Sequence, residues 1–146
     1  NEIGAIIRKF GNEYGTTTKR PRRCGWLDCV SLRSAKYIMG IDCLCLNHLD
    51  TIGKIGKFVG KIKICIAYEY LNQVIVHIPD DIEITKCKPE PIYEVIEGGW
   101  EIKPNTKKYS DLPPKARQFV ELVEKYTKLP VKYIGFGADN KDTIVR

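Results

Sequence analysis

Between Lys61 and Tyr70 apolar and polar positions alternate, with Ile62, Ile64, Ile66, Tyr68 and Tyr70 on one face and Lys61, Lys63, Cys65, Ala67 and Glu69 on the other. A period of two is that of a half-buried strand. Leu71-Asn72-Gln73 turns it into a second strand over Val74 to Ile78, which Pro79 ends, so a β-hairpin is expected. Upstream, the short apolar stretch from Ile3 to Lys9 reads as a strand entering a turn at Gly11 to Gly15. A helix is expected from Leu27 or Asp28 to Met39, with Asp28 as N-cap, Gly40 as stop, and a narrow face of Val30, Ser31, Ser34, Ala35 and Ile38. Ile41 to Leu46 reads as a short buried strand. Gly53, Gly56 and Gly60 with their interspersed lysines read as a flexible connection. Asp80 to Gly99, bounded and broken by Pro79, Pro89 and Pro91, should wander over the surface before the run from Pro91 to Ile96. Pro113-Pro114 then opens an amphipathic helix to about Lys128, its core stripe formed by Ala116, Phe119, Val120, Val123 and Tyr126. A final strand runs from Val131 to Phe136 and ends in Gly135-Phe136-Gly137.

Composition limits what these elements can build. A chain of 146 residues that is 43% hydrophobic supports one core and one domain. The net charge of +6 is concentrated in a tract around Lys19 to Arg23 and in Lys54, Lys57, Lys61 and Lys63, which favours anionic ligands or nucleic acid. No apolar run approaches the roughly 20 residues a membrane span needs, and the first residues carry no signal-peptide pattern, so a soluble, cytoplasmic protein is expected. The chain starts without methionine, as an internal beginning would. Six scattered cysteines, Cys24, Cys29, Cys43, Cys45, Cys65 and Cys87, suit free thiols better than a disulfide framework. Cys43-x-Cys45-x-x-His48 has zinc-ligand types, but on a strand residues two apart stand about 6.6 Å from one another, wide for two sulfurs on one tetrahedral ion. No metal is assigned.

The chemistry concentrates in Gly15 to Asp28, G-T-T-T-K-R-P-R-R-C-G-W-L-D. Pro21 fixes its own φ and biases Arg20 toward extended backbone, so Lys19, Arg20, Arg22 and Arg23 are presented on a loop beside the hydroxyls of Thr16, Thr17 and Thr18. Guanidinium groups bond phosphate or carboxylate in two-pronged fashion, and hydroxyls and backbone N–H groups add donors. A solvated basic loop has the same composition. The helix expected after the loop would add partial positive charge near an anion. Trp26 is expected beneath the loop, with Asp28 capping the helix or pairing with an arginine. Cys24 reads as a bystander thiol and His77 as structural. Glu94 and Glu97 have nothing to order them for acid–base chemistry.

The order G-x-T-T-x-R-x-R-R-C-G-W-L-D resembles the substrate loop of the adenylosuccinate synthetases, which join IMP and aspartate at the expense of GTP, and P-I-Y-E followed by Gly99-Trp100 also matches. Members of that family are much longer, and this chain resembles their C-terminal part. The resemblance implies an α/β fold, the C-terminal portion of a P-loop-NTPase-like mixed sheet with flanking helices and the β-hairpin. It implies that Thr16, Thr17, Thr18 and Lys19 cradle the aspartate carboxylates, that Arg20, on a loop shaped by Pro21, contacts IMP, and that Arg22 bridges aspartate and GTP. The guanine would be received by His48, Leu49 and Asp50 and by Gly135, Phe136 and Gly137. A carboxylate such as that of Asp50 can accept from guanine N1–H and the exocyclic amine, a donor pair adenine lacks. The family has glycine where Lys19 stands, lysine in place of His48, and a small polar residue in place of Gly135.

No catalytic residue falls in this chain on that resemblance. The glycine-rich phosphate loop, the aspartate that acts as base on IMP, the assisting histidine and the Mg2+ site belong to an N-terminal portion. GTP, IMP and L-aspartate are the implied ligands and a homodimer the implied assembly. Two other readings of the residues stand beside it. One is a stand-alone, non-catalytic guanine-nucleotide module. The other is a nucleic-acid binder using Lys19 to Arg23 and Lys54 to Lys63, against which the scarcity of interleaved aromatics counts.

Overall fold

The computed structural model describes residues 2–79 and 88–146. The part of the expected surface segment at 80–87, with Cys87, lies outside the described residues. Among the described residues two small mixed sheets and three of four α-helices share one core, which bears out the α/β expectation.

The chain opens with helix α1, Glu2–Gly11, where a strand was expected. Ile3, Ile6, Ile7 and Phe10 recur at helical spacing. Glu2 lies in the first turn and Arg8 and Lys9 in the last, matching the helix dipole at both ends. After the basic loop, β1 (Leu27–Asp28) leads into α2 (Cys29–Met39), which is bounded as expected. The Asp28 carboxylate accepts N–H bonds from Val30 at 2.9 Å and Ser31 at 3.1 Å, and Gly40 closes the helix at φ +65°.

Of the run Ile41 to Leu46 only β2, Leu44–Leu46, is strand. Its ladder begins where the Leu44 N–H meets the carbonyl of Pro130 at 2.8 Å. The glycine- and lysine-rich segment after it is not a connection but helix α3, Leu49–Val59. Its glycines are contact points. A Cβ on Gly56 would lie 2.5 Å from Gly98 Cα, and one on Gly53 would overlap the Trp100 carbonyl and lie 2.6 Å from its Cδ1. The helix therefore seats directly on backbone at 98–100, which side chains would prevent. Gly60, at φ +79°, ends it.

Strand β3, Lys61–Tyr70, is the hub of the first sheet. Strand β5, Glu90–Glu97, runs antiparallel along one edge. The other edge carries β1 in parallel and then β4, Gln73–Ile75, in antiparallel. The expected alternation holds through Ile62 and Ile64. A register shift between Cys65 and Ala67 opposite β5 then buries those two and leaves Ile66 and Tyr68 half-buried. The hairpin closes on Leu71 and Asn72, both at positive φ. Strand β4 is shorter than expected because the chain beyond Ile75 turns to α2: Val76 O accepts from Arg33 Nη1 at 2.8 Å, and Ile78 N–H donates to Ser34 Oγ at 3.0 Å.

Helix α4, Pro114–Thr127, lays Ala116, Phe119, Val120 and Val123 into the core against Cys29, Ile64 and Trp100. Strand β6, Val131–Gly135, is the hub of the second sheet, with β2 parallel on one side. It is not the last strand. Strand β7, Thr143–Val145, returns antiparallel on its other side, with Ile144 opposite Ile134.

Candidate functional site

The basic loop is a folded hairpin tip. Gly15 N–H bonds the Arg20 carbonyl at 2.9 Å, Arg22 N–H bonds the Glu13 carbonyl at 3.0 Å, and Tyr14 and Pro21 form an antiparallel bridge. The tip turns at Lys19, whose N–H reaches the Gly15 carbonyl at 2.9 Å and whose φ is +54°, the left-handed region. A positive φ suits glycine, the residue that the resemblance implies at this position. The Arg22 guanidinium pairs with Glu13 Oε2 at 2.9 Å, and Arg8 Nε donates to the Arg22 carbonyl at 2.8 Å, so the arginine is held before any ligand arrives. Thr16, Lys19 and Arg22 line a cavity of about 440 Å³ with Glu13, Tyr14 and His48. Thr17, Thr18, Arg20 and Pro21 are exposed on the same tip but are not among the residues lining it.

Beneath the loop, Asp28 is structural. Besides capping α2 it accepts a bond from Tyr68 Oη at 2.8 Å. Its carboxylate thus occupies the helix N-terminus that the sequence offered to a ligand. Burial, then the Asp28 charge, pushes the Cys29 thiol up to about 12 and the Cys65 thiol up to about 11. Burial and the bond to Asp28 raise the Tyr68 phenol as well.

A second cavity forms where the parallel pair β2 and β6 ends. Leu46 lies opposite Ile134, so the turn after β2 and the turn after β6 emerge side by side, at the carboxyl end of the sheet where α/β folds place their ligands. Asn47 packs on Gly135, where a Cβ would lie 2.6 Å from its Oδ1, and Gly137 packs on the Asp142 carboxylate. Asp50, in the first turn of α3, and Phe136 line a cavity of about 370 Å³ with Lys54, Trp100, Ile102 and Asp142. Asp50 Oδ2 is 2.9 Å from Lys54 Nζ.

Of the residues expected at the guanine, Asp50 and Phe136 line this cavity, Gly135 and Gly137 are not among its lining residues, and two stand elsewhere. The Leu49 side chain is fully buried in the core, and only its carbonyl is engaged, by Trp100 Nε1–H at 2.9 Å. His48, at φ +62°, lines the loop cavity instead. The turn His48-Leu49-Asp50 therefore separates the two cavities. Ile102 and Asp142 were not singled out by sequence as site residues, Lys54 only as part of a basic tract, and Trp100 only as part of a matching motif.

Among the described residues no group of three or more His, Cys, Asp or Glu side chains is placed to hold a metal. The acids around the second cavity are otherwise engaged: Asp50 by Lys54, Glu101 by Lys57 at 2.9 Å, and Asp142 by the Asp139 N–H at 3.2 Å. The described residues do not fit a Mg2+ site. Among the described residues no helix is long and apolar enough to cross a membrane.

The family profile described as adenylosuccinate synthetase matches residues 1–144. This chain belongs to the adenylosuccinate synthetase family. Adenylosuccinate synthetases of Acetivibrio thermocellus, Caldicellulosiruptor bescii and Borrelia recurrentis are 43%, 44% and 40% identical to it across 99–100% of its length. The fully ligated adenylosuccinate synthetase of Plasmodium falciparum superposes on all of it with a TM-score of 0.84 at 35% identity, the chain covering 34% of that structure. The chain spans about a third of the length of the curated adenylosuccinate synthetases it matches.

Proposed function

We infer that this chain supplies the substrate loop and the guanine pocket of a GTP-dependent synthetase that joins IMP to L-aspartate, and that it forms the C-terminal third of that enzyme. The observation that carries the reading is the pair of cavities on either side of His48-Leu49-Asp50, one lined by cations and hydroxyl, the other by three carboxylates, one lysine and two aromatic rings. In the first, Arg22 and Lys19 neutralise the aspartate carboxylates and Thr16 donates to them, while Arg20 on the same tip reaches IMP. The Arg22–Glu13 pair sets the guanidinium in place, so less ordering is left to be done on binding. In the second, Asp50 accepts the N1–H and exocyclic amine of guanine while the Phe136 ring beside it packs on the flat base.

This chain's part is binding and orientation, holding the aspartate amine toward the purine. Activation of IMP by phosphoryl transfer, with the Mg2+ that supplies charge neutralisation there, is assigned to the remaining two thirds of the enzyme, which on this reading is a cytoplasmic homodimer. The mass of the protein from its source is then expected at about three times 16.7 kDa. A mass near 16.7 kDa would favour a stand-alone binding module instead.

In the full-length protein Arg22→Ala should lower kcat/KM for aspartate about tenfold to a hundredfold, the loss of one charge-assisted contact. Unchanged aspartate kinetics would remove the loop assignment. Asp50→Asn should weaken GTP while leaving ATP where it was, and equal weakening of both would refute guanine recognition at this position.

A further inference from the structure

We propose that Lys54 is a positioning residue for base recognition, fixing the Asp50 carboxylate in the orientation that discriminates guanine; the proposal rests on the guanine reading of Asp50. Lys54 stands four residues after Asp50 on α3, so the two side chains share one face of the helix, and Nζ lies 2.9 Å from Oδ2. Both line the same cavity, together with Phe136 and Trp100. The pair is asymmetric. The Asp50 side chain is only 22% exposed while that of Lys54 is 60% exposed, so the ammonium meets the carboxylate from its solvent side.

An isolated Asp side chain at a helix start has a broad χ2, and its carboxylate plane is free to turn. A contact to Oδ2 from one side fixes that plane. Each carboxylate oxygen has two lone pairs, so Oδ2 can hold Lys54 and still accept from a base, while Oδ1 accepts the second N–H. The charges of the cavity call for the same residue. Asp50, Glu101 and Asp142 line it, and Lys54 is the cation among the residues lining it. Glu101 is paired from outside by Lys57. Without Lys54 no other side chain among the described lining residues bonds the Asp50 carboxylate, and its plane is free to turn away from the base.

The test is titration of GTP, ITP and ATP onto the full-length protein as wild type, K54A, K54M, K54R and D50N. ITP keeps N1–H and lacks the exocyclic amine, so the GTP-to-ITP ratio reads how well the carboxylate is held for two bonds. K54A should weaken GTP about three- to tenfold, the range of one hydrogen bond to a charged group partly replaced by water, and narrow the GTP-to-ITP ratio with it. ATP should be unaffected, and K54R should restore both. K54M keeps the methylene stem and should behave as K54A, which covers the case of K54A folding poorly. GTP affinity and the GTP-to-ITP ratio unchanged in K54A and K54M, with preference lost in D50N, would overturn the role of Lys54 and leave the guanine reading standing. Equal weakening of all three nucleotides would also overturn it, marking a general charge or folding effect. If D50N keeps its preference for GTP over ATP, the guanine reading falls and the proposal with it.

Discussion

Lys19 occupies a backbone conformation that its side chain disfavours. At φ +54° a residue with a Cβ crowds its own following carbonyl, a cost of about 1 kcal/mol or more that glycine does not incur. Lys19→Gly should therefore raise stability by about 1 kcal/mol in urea unfolding while weakening anion binding in the loop cavity. A variant that is no more stable would mean that the tip relaxes the strain some other way. The buried thiols give a pH dependence whose sign can be worked out. In the unfolded chain a thiol ionises near pH 8.5, whereas Cys29 and Cys65 in the fold are pushed up to about 12 and about 11. Between roughly pH 9 and 11 the unfolded state has lost protons that the native state retains, so stability falls as pH rises and is flat below about pH 8. Urea midpoints at pH 7, 9 and 10.5 test this, and Cys65→Ala should flatten the decline. At this scale the loop was legible because its residues are contiguous: Thr16, Lys19 and Arg22 need only a turn to meet. Asp50, expected from the resemblance, meets Trp100 and Asp142 only through the packing of three separate segments, and nothing local marks Asp142 as its neighbour.

The elements differ in how much of their structure is written locally. Helix α2 carries its own N-cap and C-cap, α4 its Pro start and core stripe, and β3 its alternation, so each was legible. Helix α3 was not, because the glycines that suggest a flexible segment are required by what the helix touches at Gly98 to Trp100, far along the chain. That argument yields a prediction against intrinsic propensity. Gly53→Ala would gain about 1 kcal/mol in an exposed helix, yet here the added methyl meets the Trp100 carbonyl and indole, and overpacking of a core typically costs about 1 to 3 kcal/mol. The variant should unfold at lower urea, and the Trp100 Nε1–H bond to the Leu49 carbonyl should be disturbed, which near-UV circular dichroism would register. A midpoint above wild type would show that α3 is not seated on Trp100 in solution. Helix α1 was misread because seven residues from Ile3 to Lys9 are too few to separate a period of 3.6 from an apolar run. Strand β7 was missed because three residues suffice once β6 offers an edge.

For the whole molecule the question is where a net charge of +6 acts. A nucleic-acid binder would need the basic tract at 54–63 as one stripe, but the fold divides it between a helix and a strand. Lys54 and Lys57 on α3 are each 2.9 Å from a carboxylate, of Asp50 and Glu101. On β3, Lys61 lies opposite Glu97, and Lys63 stands 5.5 Å from the centre of the Tyr93 ring. In the loop Arg22 is paired with Glu13. The charge of the 54–63 tract is thus largely answered locally, while Lys19 to Arg23 gather on one loop tip on the scale of one small anion. Residual attraction for a polyphosphate backbone would come from counterion release, which falls steeply with salt. The full-length protein should therefore lose any affinity for DNA or RNA between about 50 and 200 mM salt, the range over which several phosphate contacts lose orders of magnitude in binding. Its preference for GTP over ATP should survive the same change, because discrimination by Asp50 depends on short hydrogen bonds inside a cavity and not on a screened field. Nucleic-acid binding that persists at 200 mM salt, with GTP and ATP equivalent, would turn the assignment toward a nucleic-acid surface and away from a synthetase site.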